Sequence, residues 1–205
     1  VPVVDRAINE AGITKDQLTA IAYTQGPGLM GALLVGASFA KSMAMVLDVP
    51  LIPVHHMRAH IMAHFIRNLA QDSIPEFPFL CLTVSGGHTQ LVLVRSVMDM
   101  QVIGQTIDDA AGEAFDKVAR FLGLGHPGGP AIDREAKLGN AQAIEFPRAM
   151  LHDGFDVSFS GLKTAVVNYV RKYPSISTQD VAASFQTAVV DVLVAKSVKA
   201  AKHIG

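Results

Sequence analysis

The chain has 205 residues with 17 basic and 18 acidic side chains, a formal net charge of −1; half of its residues are hydrophobic and 17% are charged. That balance excludes a disordered or solvating chain, and a chain of this length buries on the order of 70% of its unfolded surface, enough for a sizeable core. It also excludes a strongly basic field over the whole molecule, so nucleic-acid contact requires a local patch or partner proteins. The single cysteine, Cys81, permits no internal disulfide and fits a reducing, cytoplasmic setting.

The chain opens on Val1 inside a helical pattern (Val3, Val4, Ala7, Ile8) closed by Gly12, and it stops at Gly205 directly after a long helical run. In an α/β protein both ends should continue into strands, so the expectation is a fragment. Residues 20–24 read as a strand, Gly26-Pro27-Gly28 as a turn, and 29–47 as a helix with small faces at Gly31, Ala32, Gly36 and Ala40. This most apolar stretch carries Ser38, Lys41, Ser42 and Asp48. A membrane span needs about 20 predominantly apolar residues, so the expectation is a soluble protein with no signal peptide and no membrane association.

A second strand over 50–54 and a helix over 55–69 follow, then a polar, proline-bearing linker over 71–78 that suggests a domain boundary near residue 76. The expected domains are therefore 1–76 and 77–205. Residues 79–84 and 88–94 are β-rich runs around Ser85-Gly86-Gly87, a hairpin signal, and 101–105 adds a third strand. Beyond them the pattern is helical. Asp108 or Asp109 is expected to cap a helix running to Leu122, with Gly123 and Gly125 after its end. A short helix near Pro130 and helices over 160–172 and 179–202 complete the α/β reading.

Five segments could carry chemistry. In His55-His56-Met57-Arg58-Ala59-His60-Ile61-Met62-Ala63-His64, His56 and His60 lie one helical turn apart and can present two imidazoles to one ion, as can His60 and His64. The alternative is a helix with polar-face or packed histidines, and a metal centre needs a third ligand from elsewhere. A zinc protease would need Glu after the first histidine as general base, and Met57 stands there. Thr83-Val84-Ser85-Gly86-Gly87-His88-Thr89-Gln90 is either an ordinary hairpin turn or a nest of backbone N–H groups and hydroxyls for phosphate oxygens.

The carboxylates Asp108, Asp109, Glu113 and Asp116 crowd an otherwise charge-poor chain, and Asp109, Glu113 and Asp116 share a helical face. They serve either as caps and a solvated face or as acceptors for ribose hydroxyls and metal-bound phosphate. His126-Pro127-Gly128-Gly129-Pro130 brings backbone close to a ligand at a helix start, with Asp133 expected in the first turn facing the loop. Ser160 is expected to cap the helix that carries Lys163, which is either solvated or an anion contact.

Taken together, these runs, with Gln25-Gly26-Pro27-Gly28 and Phe159-Ser160-Gly161-Leu162-Lys163-Thr164, resemble the TsaD/Gcp family in order and over essentially the whole chain. That is the family of bacterial tRNA N6-adenosine threonylcarbamoyltransferases, formerly described as O-sialoglycoprotein endopeptidases. The resemblance implies an actin-like ATPase fold (sugar kinase, Hsp70, actin), with a nucleotide cleft between two lobes. It implies transfer of threonylcarbamoyl from threonylcarbamoyl-AMP to N6 of the adenosine beside the anticodon, forming t6A. His56 and His60 match the ligands of one divalent ion, iron or zinc. Thr83, Val84, Ser85, Gly86, Gly87, Asp116, Gly129 and Asp133 match the residues that hold the adenylate or ATP-type nucleotide.

The implied partners are tRNA, a TsaB-like pseudo-enzyme and a TsaE-like P-loop ATPase. The family's opening Asp-Thr-Ser-Cys-type loop, its later Gly-Gly-Val-Ala/Ser-Asn loop and the Thr-Asp-Asn segment with the third metal ligand have no counterpart here, so the fragment alone is expected to be inactive. Two other readings stay open: a zinc metalloendopeptidase, and a non-catalytic nucleotide-binding scaffold.

Overall fold

The computed structural model describes residues 2–66 and 74–205. The expected helix end at 67–69 and the first residues of the expected linker, 71–73, lie outside the described residues. The chain divides into two compact units, Val1–Ile74 and Pro75–Gly205.

The first unit runs α1 (Pro2–Ala11), β1 (Ile21–Gly26), α2 (Met30–Leu47), β2 (Leu51–His55) and α3 (His56–Met62), followed by a 3-10 turn at Ala63–Phe65. Gly12, at φ 66°, ends α1 in the left-handed conformation that costs glycine nothing. β1 and β2 pair in parallel, Ile21 with Leu51 through Thr24 with Val54, and α2 is the crossover such a pair requires. The unit has a thin interior: among its described residues only Ala40, Ala44, Met57 and Ile61 are buried hydrophobics. Leu34, Val35, Met45 and Val46 of α2 stay exposed. α2 and the last helix of the chain are both long and apolar enough to cross a membrane by length and composition, though half of the latter is buried within its own unit.

The second unit starts with β3 (Phe79–Val84), β4 (Thr89–Val94) and β5 (Met100–Gln105), an antiparallel sheet in that order. The helices α4 (Ala111–Phe121), α5 (Gly128–Ala136), α6 (Ser160–Lys172) and α7 (Thr178–Ile204) follow. α7 is the spine of its core. Val181, Phe185, Ala188 and Val192, spaced by three and four residues, face one side and are at most 1% exposed. Phe115 of α4 meets Phe185 edge-on at 5.0 Å. Ala111, Ala114, Val118 and Ala119 are all small and buried, which lets α4 lie close to its neighbours.

Most boundaries fall within a residue or two of expectation, and three further differences each have a structural reason. The 3-10 turn ends the histidine helix early, at Met62. α4 begins at Ala111 with no side-chain cap, because Asp108 is drawn away to a distant segment. α5 begins at Gly128, so Asp133 falls in its second turn rather than its first.

Candidate functional site

In the first unit, β2 runs straight into α3, which places His55 and His56 at the helix start and His60 one turn on. His55 Nδ1 accepts from the Arg58 N–H at 3.4 Å, so His55 serves as the N-cap. Met57 and Ile61 bury the inner face of α3, and His56 and His60 therefore stand together on the outer one. Their Nε2 atoms lie 3.2 Å apart and their rings meet edge-on with centroids at 4.5 Å. Two tetrahedral ligands at 2.0–2.1 Å from a zinc-sized ion are separated by about 3.3 Å, so this pair fits two positions of one coordination sphere. Among the described residues no group of three His, Cys, Asp or Glu converges, and the pair accounts for two ligands only. His64 lies beyond the end of α3, in the 3-10 turn.

In the second unit, the β3–β4 connection is a four-residue loop, Ser85 to His88, rather than a two-residue turn. The Ser85 N–H donates to the His88 carbonyl at 2.8 Å and the His88 N–H donates to Ser85 Oγ at 3.1 Å. Thr83 and Val84 close the ladder opposite Gln90 and Thr89. Gly86 and Gly87 face open space, since a side chain on either would meet nothing within 4 Å.

The loop is seated on the start of α4. Gly112 donates to the Ser85 carbonyl at 3.2 Å, and Ala111 donates to the buried Thr89 Oγ1 at 2.8 Å. A Cβ on Gly112 would lie 2.6 Å from that carbonyl, so only glycine admits this approach.

α4 also carries α5. Asp116 Oδ1 accepts from the Gly128 N–H at 2.7 Å, with His126 Nδ1 at 3.4 Å. Gly128 packs so closely that a Cβ would stand 2.6 Å from the Phe115 carbonyl. Gly129 faces open space. Asp133 accepts from Lys137 at 2.6 Å and Gln186 at 3.4 Å, and these bonds hold its carboxyl below the usual carboxylate range. The structure thus brings together Ser85, Gly86 and Gly87 of the loop seated on α4, Asp116 of α4 itself and Gly129 in the first turn of α5, whereas Asp133 is bonded to Lys137 and to Gln186 of α7.

The expected caps are redistributed. Asp108 does not cap α4. It accepts from Ser158 Oγ at 2.5 Å, Ser160 Oγ at 2.8 Å, and the Phe159 and Ser160 N–H groups at 2.9 and 3.3 Å, tying down the start of α6. Burial works to raise the Asp108 pKa, and these four bonds outweigh it and leave the carboxyl below its ordinary range. Ser160 is correspondingly the first residue of α6 rather than its cap. Asp109 and Glu113 share Lys117, each at 2.7 Å, and both bonds raise the lysine. Asp116 does not join them. Cys81 is buried in β3, where burial pushes its thiol up against a weaker opposing bond to Thr83, which makes it a poor nucleophile.

Sequence reasoning missed Ser158, Gly112 and Gly128 as positioning residues. The two glycines had a signal in their flanks, Gly112 inside the carboxylate-rich run and Gly128 in the proline- and glycine-rich one, but a glycine needed for close approach looks like any other until its neighbour is known.

The family model described as TsaD, tRNA N6-adenosine threonylcarbamoyltransferase, matches residues 1–205. Relatives bearing that name include one from Magnetococcus marinus, 52% identical over 209 residues, covering 100% of this chain and 59% of the relative. Those from Phocaeicola vulgatus and Riemerella anatipestifer are 50% and 48% identical over 212 residues, covering 100% of this chain and 62% of each relative. The chain thus spans about three-fifths of the length of these relatives. A family model that matches the whole chain, together with overall identities near one half to relatives of that name, leaves one assignment: the chain belongs to the TsaD family.

Proposed function

We propose that the protein carrying this chain transfers a threonylcarbamoyl group from threonylcarbamoyl-AMP to N6 of the adenosine adjacent to the anticodon of tRNA. The observation that carries this reading is the end-to-end family match; the geometry of the two units supports it. We read those units as parts of the two lobes of an actin-like fold, acting in the cytoplasm with a TsaB-like pseudo-enzyme and a TsaE-like P-loop ATPase.

His56 and His60 would hold one divalent ion, iron or zinc, which when bound supplies Lewis-acid polarisation of a phosphate or carbonyl oxygen. Thr83, Val84, Ser85, Gly86 and Gly87 would cradle the adenylate, with Asp116, Gly129 and Asp133 around its ribose and base. Asp116 fixes the α5 loop through Gly128, so its contribution to ribose binding is exerted largely through Oδ2 and that loop. Donors aimed at developing charge are the strongest contribution a preorganised loop can make, and the Ser85 to His88 loop is preorganised by its own hydrogen bonds and by Gly112.

No side chain in the described residues offers an activated nucleophile, which favours direct attack. The N6 nitrogen bonds the carbamoyl carbon, the bond from that carbon to the AMP phosphate oxygen breaks, and one amine proton is released.

The test reconstitutes the full-length gene product with the family's partner proteins, threonine, bicarbonate, ATP and unmodified tRNA. Nucleoside mass spectrometry and metal analysis then compare wild type with His56→Ala/His60→Ala. Loss of both bound metal and threonylcarbamoyl-adenosine in the double variant is the expected result. Product without metal would remove the histidines from the reaction. A folded wild type that binds nucleotide and makes no product would favour the scaffold, and casein cleavage lost in the double variant would favour the endopeptidase.

A further inference from the structure

Lys163 occupies the second turn of α6, a helix whose start is fixed by the four bonds to Asp108. Its ammonium lies 3.7 Å from Asp109 Oδ2, an ion pair too long to be a hydrogen bond. Asp109 Oδ2 is shielded from solvent and accepts no hydrogen bond at all. The other oxygen, Oδ1, is fully engaged by Lys117, which is itself shared with Glu113. A buried carboxylate oxygen left without a donor is uncommon and calls for an explanation. Here the nearest cation stands off from it, with its own donors uncommitted.

The two partners differ in access. The Lys163 side chain is 32% exposed and that of Asp109 is 14% exposed, so an arriving ligand meets the lysine and not the carboxylate. The location is also specific. Asp109 is three residues from Gly112, at most about 11 Å of chain, and Gly112 is the residue on which the Ser85 to His88 loop is seated. The N–H groups of Ala111 and Gly112 are spent on Thr89 and Ser85. Further attraction for an anion at this end of α4 must therefore come from a side chain, and Lys163 is the cation there that is not already hydrogen-bonded.

We propose that Lys163 is an anion-contacting residue of the nucleotide site, tethered by Asp109 and turned toward the phosphate oxygens of the bound adenine nucleotide. This rests on the nucleotide reading of the hairpin given above. Asp109 acts as the positioning residue: it holds the lysine at the mouth of the loop at a distance that leaves the ammonium free to donate.

The test measures ATP, AMP and adenosine affinity of the full-length protein for wild type, Lys163→Gln, Lys163→Arg and, as a control on the same helix, Lys172→Gln. Loss of one charge-assisted bond corresponds to a fall of about tenfold or more. Lys163→Gln is expected to lose that much affinity for ATP and AMP and none for adenosine, with Lys163→Arg recovering most of it and Lys172→Gln matching wild type. Unchanged ATP affinity in Lys163→Gln would overturn the proposal and leave the nucleotide site standing. An equal loss for adenosine would overturn it by showing a merely structural role. Failure of wild type to bind any of the three would overturn the nucleotide reading itself, and this inference with it.

Discussion

Four glycines around the α4 loops divide into two kinds. Gly86 and Gly129 have open space where a side chain would go, and Gly112 and Gly128 have a backbone carbonyl 2.6 Å away. None of the four has positive φ, so the difference lies in neighbours and not in backbone conformation. Gly112→Ala and Gly128→Ala should each destabilise the fold by about 1–3 kcal/mol, the usual cost of forcing extra atoms into a packed contact. Gly86→Ala and Gly129→Ala should unfold with wild-type midpoints. Urea denaturation of the four variants checks this. Equal behaviour of the two pairs would show that α4 does not clamp its loops as described.

At the scale of elements, the segment between α5 and α6 has no regular structure, yet it is fastened along α7. Ser184 Oγ accepts from Ile144 N–H and donates to the Asn140 carbonyl, Arg148 pairs with Asp191 at 2.8 Å, and Lys199 donates to the His152 carbonyl at 2.8 Å. Lys196, with no exposed surface, donates to the carbonyls of Asp153 and Gly154. The strap then pairs with the end of β5, Val157 N–H donating to the Gln105 carbonyl beside a bridge to Thr106, and delivers Ser158 and Ser160 to Asp108.

Burial, helped by Lys199, pushes the Lys196 ammonium below the usual lysine range against the pull of Asp153 and Asp156. Below the folded pKa both states hold the proton; between it and the unfolded value of about 10.4 only the unfolded chain does. Stability contributed by this group therefore rises with pH through that window. Lys196→Met should flatten the rise, and at neutral pH it should cost about 1–3 kcal/mol by leaving the Asp153 and Gly154 carbonyls without their donor. Denaturant midpoints from neutral pH to about 10, in wild type and variant, measure both. A variant with an unaltered slope would remove Lys196 as its source.

At the scale of the whole molecule, the two units are unequal. The continuous apolar core, from Ala111 to Val192, lies entirely in the second. The first has a two-stranded parallel sheet, and such a sheet is stable only when both faces are covered. It also has an apolar groove of about 800 Å³ between α1, β1 and α2, reaching His56. Residues 75–205 expressed alone should unfold cooperatively, whereas residues 1–74 alone should bind a hydrophobic dye and lack a sharp transition. Calorimetry and dye fluorescence distinguish the two; a cooperative transition in 1–74 would show that its thin interior suffices.

Elements with strong local patterns were legible from the chain itself. Two β-rich runs around a glycine-bearing loop specify the β3–β4 hairpin, the three- and four-residue spacing specifies α7, and the i, i+4 spacing specifies that His56 and His60 can touch. These depend on neighbours in sequence, whose geometry the backbone fixes. What tertiary structure alone decided were the partners of groups far apart in the chain. Asp108 reaches Ser158 and Ser160 instead of capping its own helix, Asp133 turns to Gln186, Lys196 is buried among carbonyls, and Gly112 is indispensable because of Ser85. A carboxylate or an ammonium satisfies whichever partner the packed core brings within about 3 Å, and local sequence carries no record of a partner about fifty residues away.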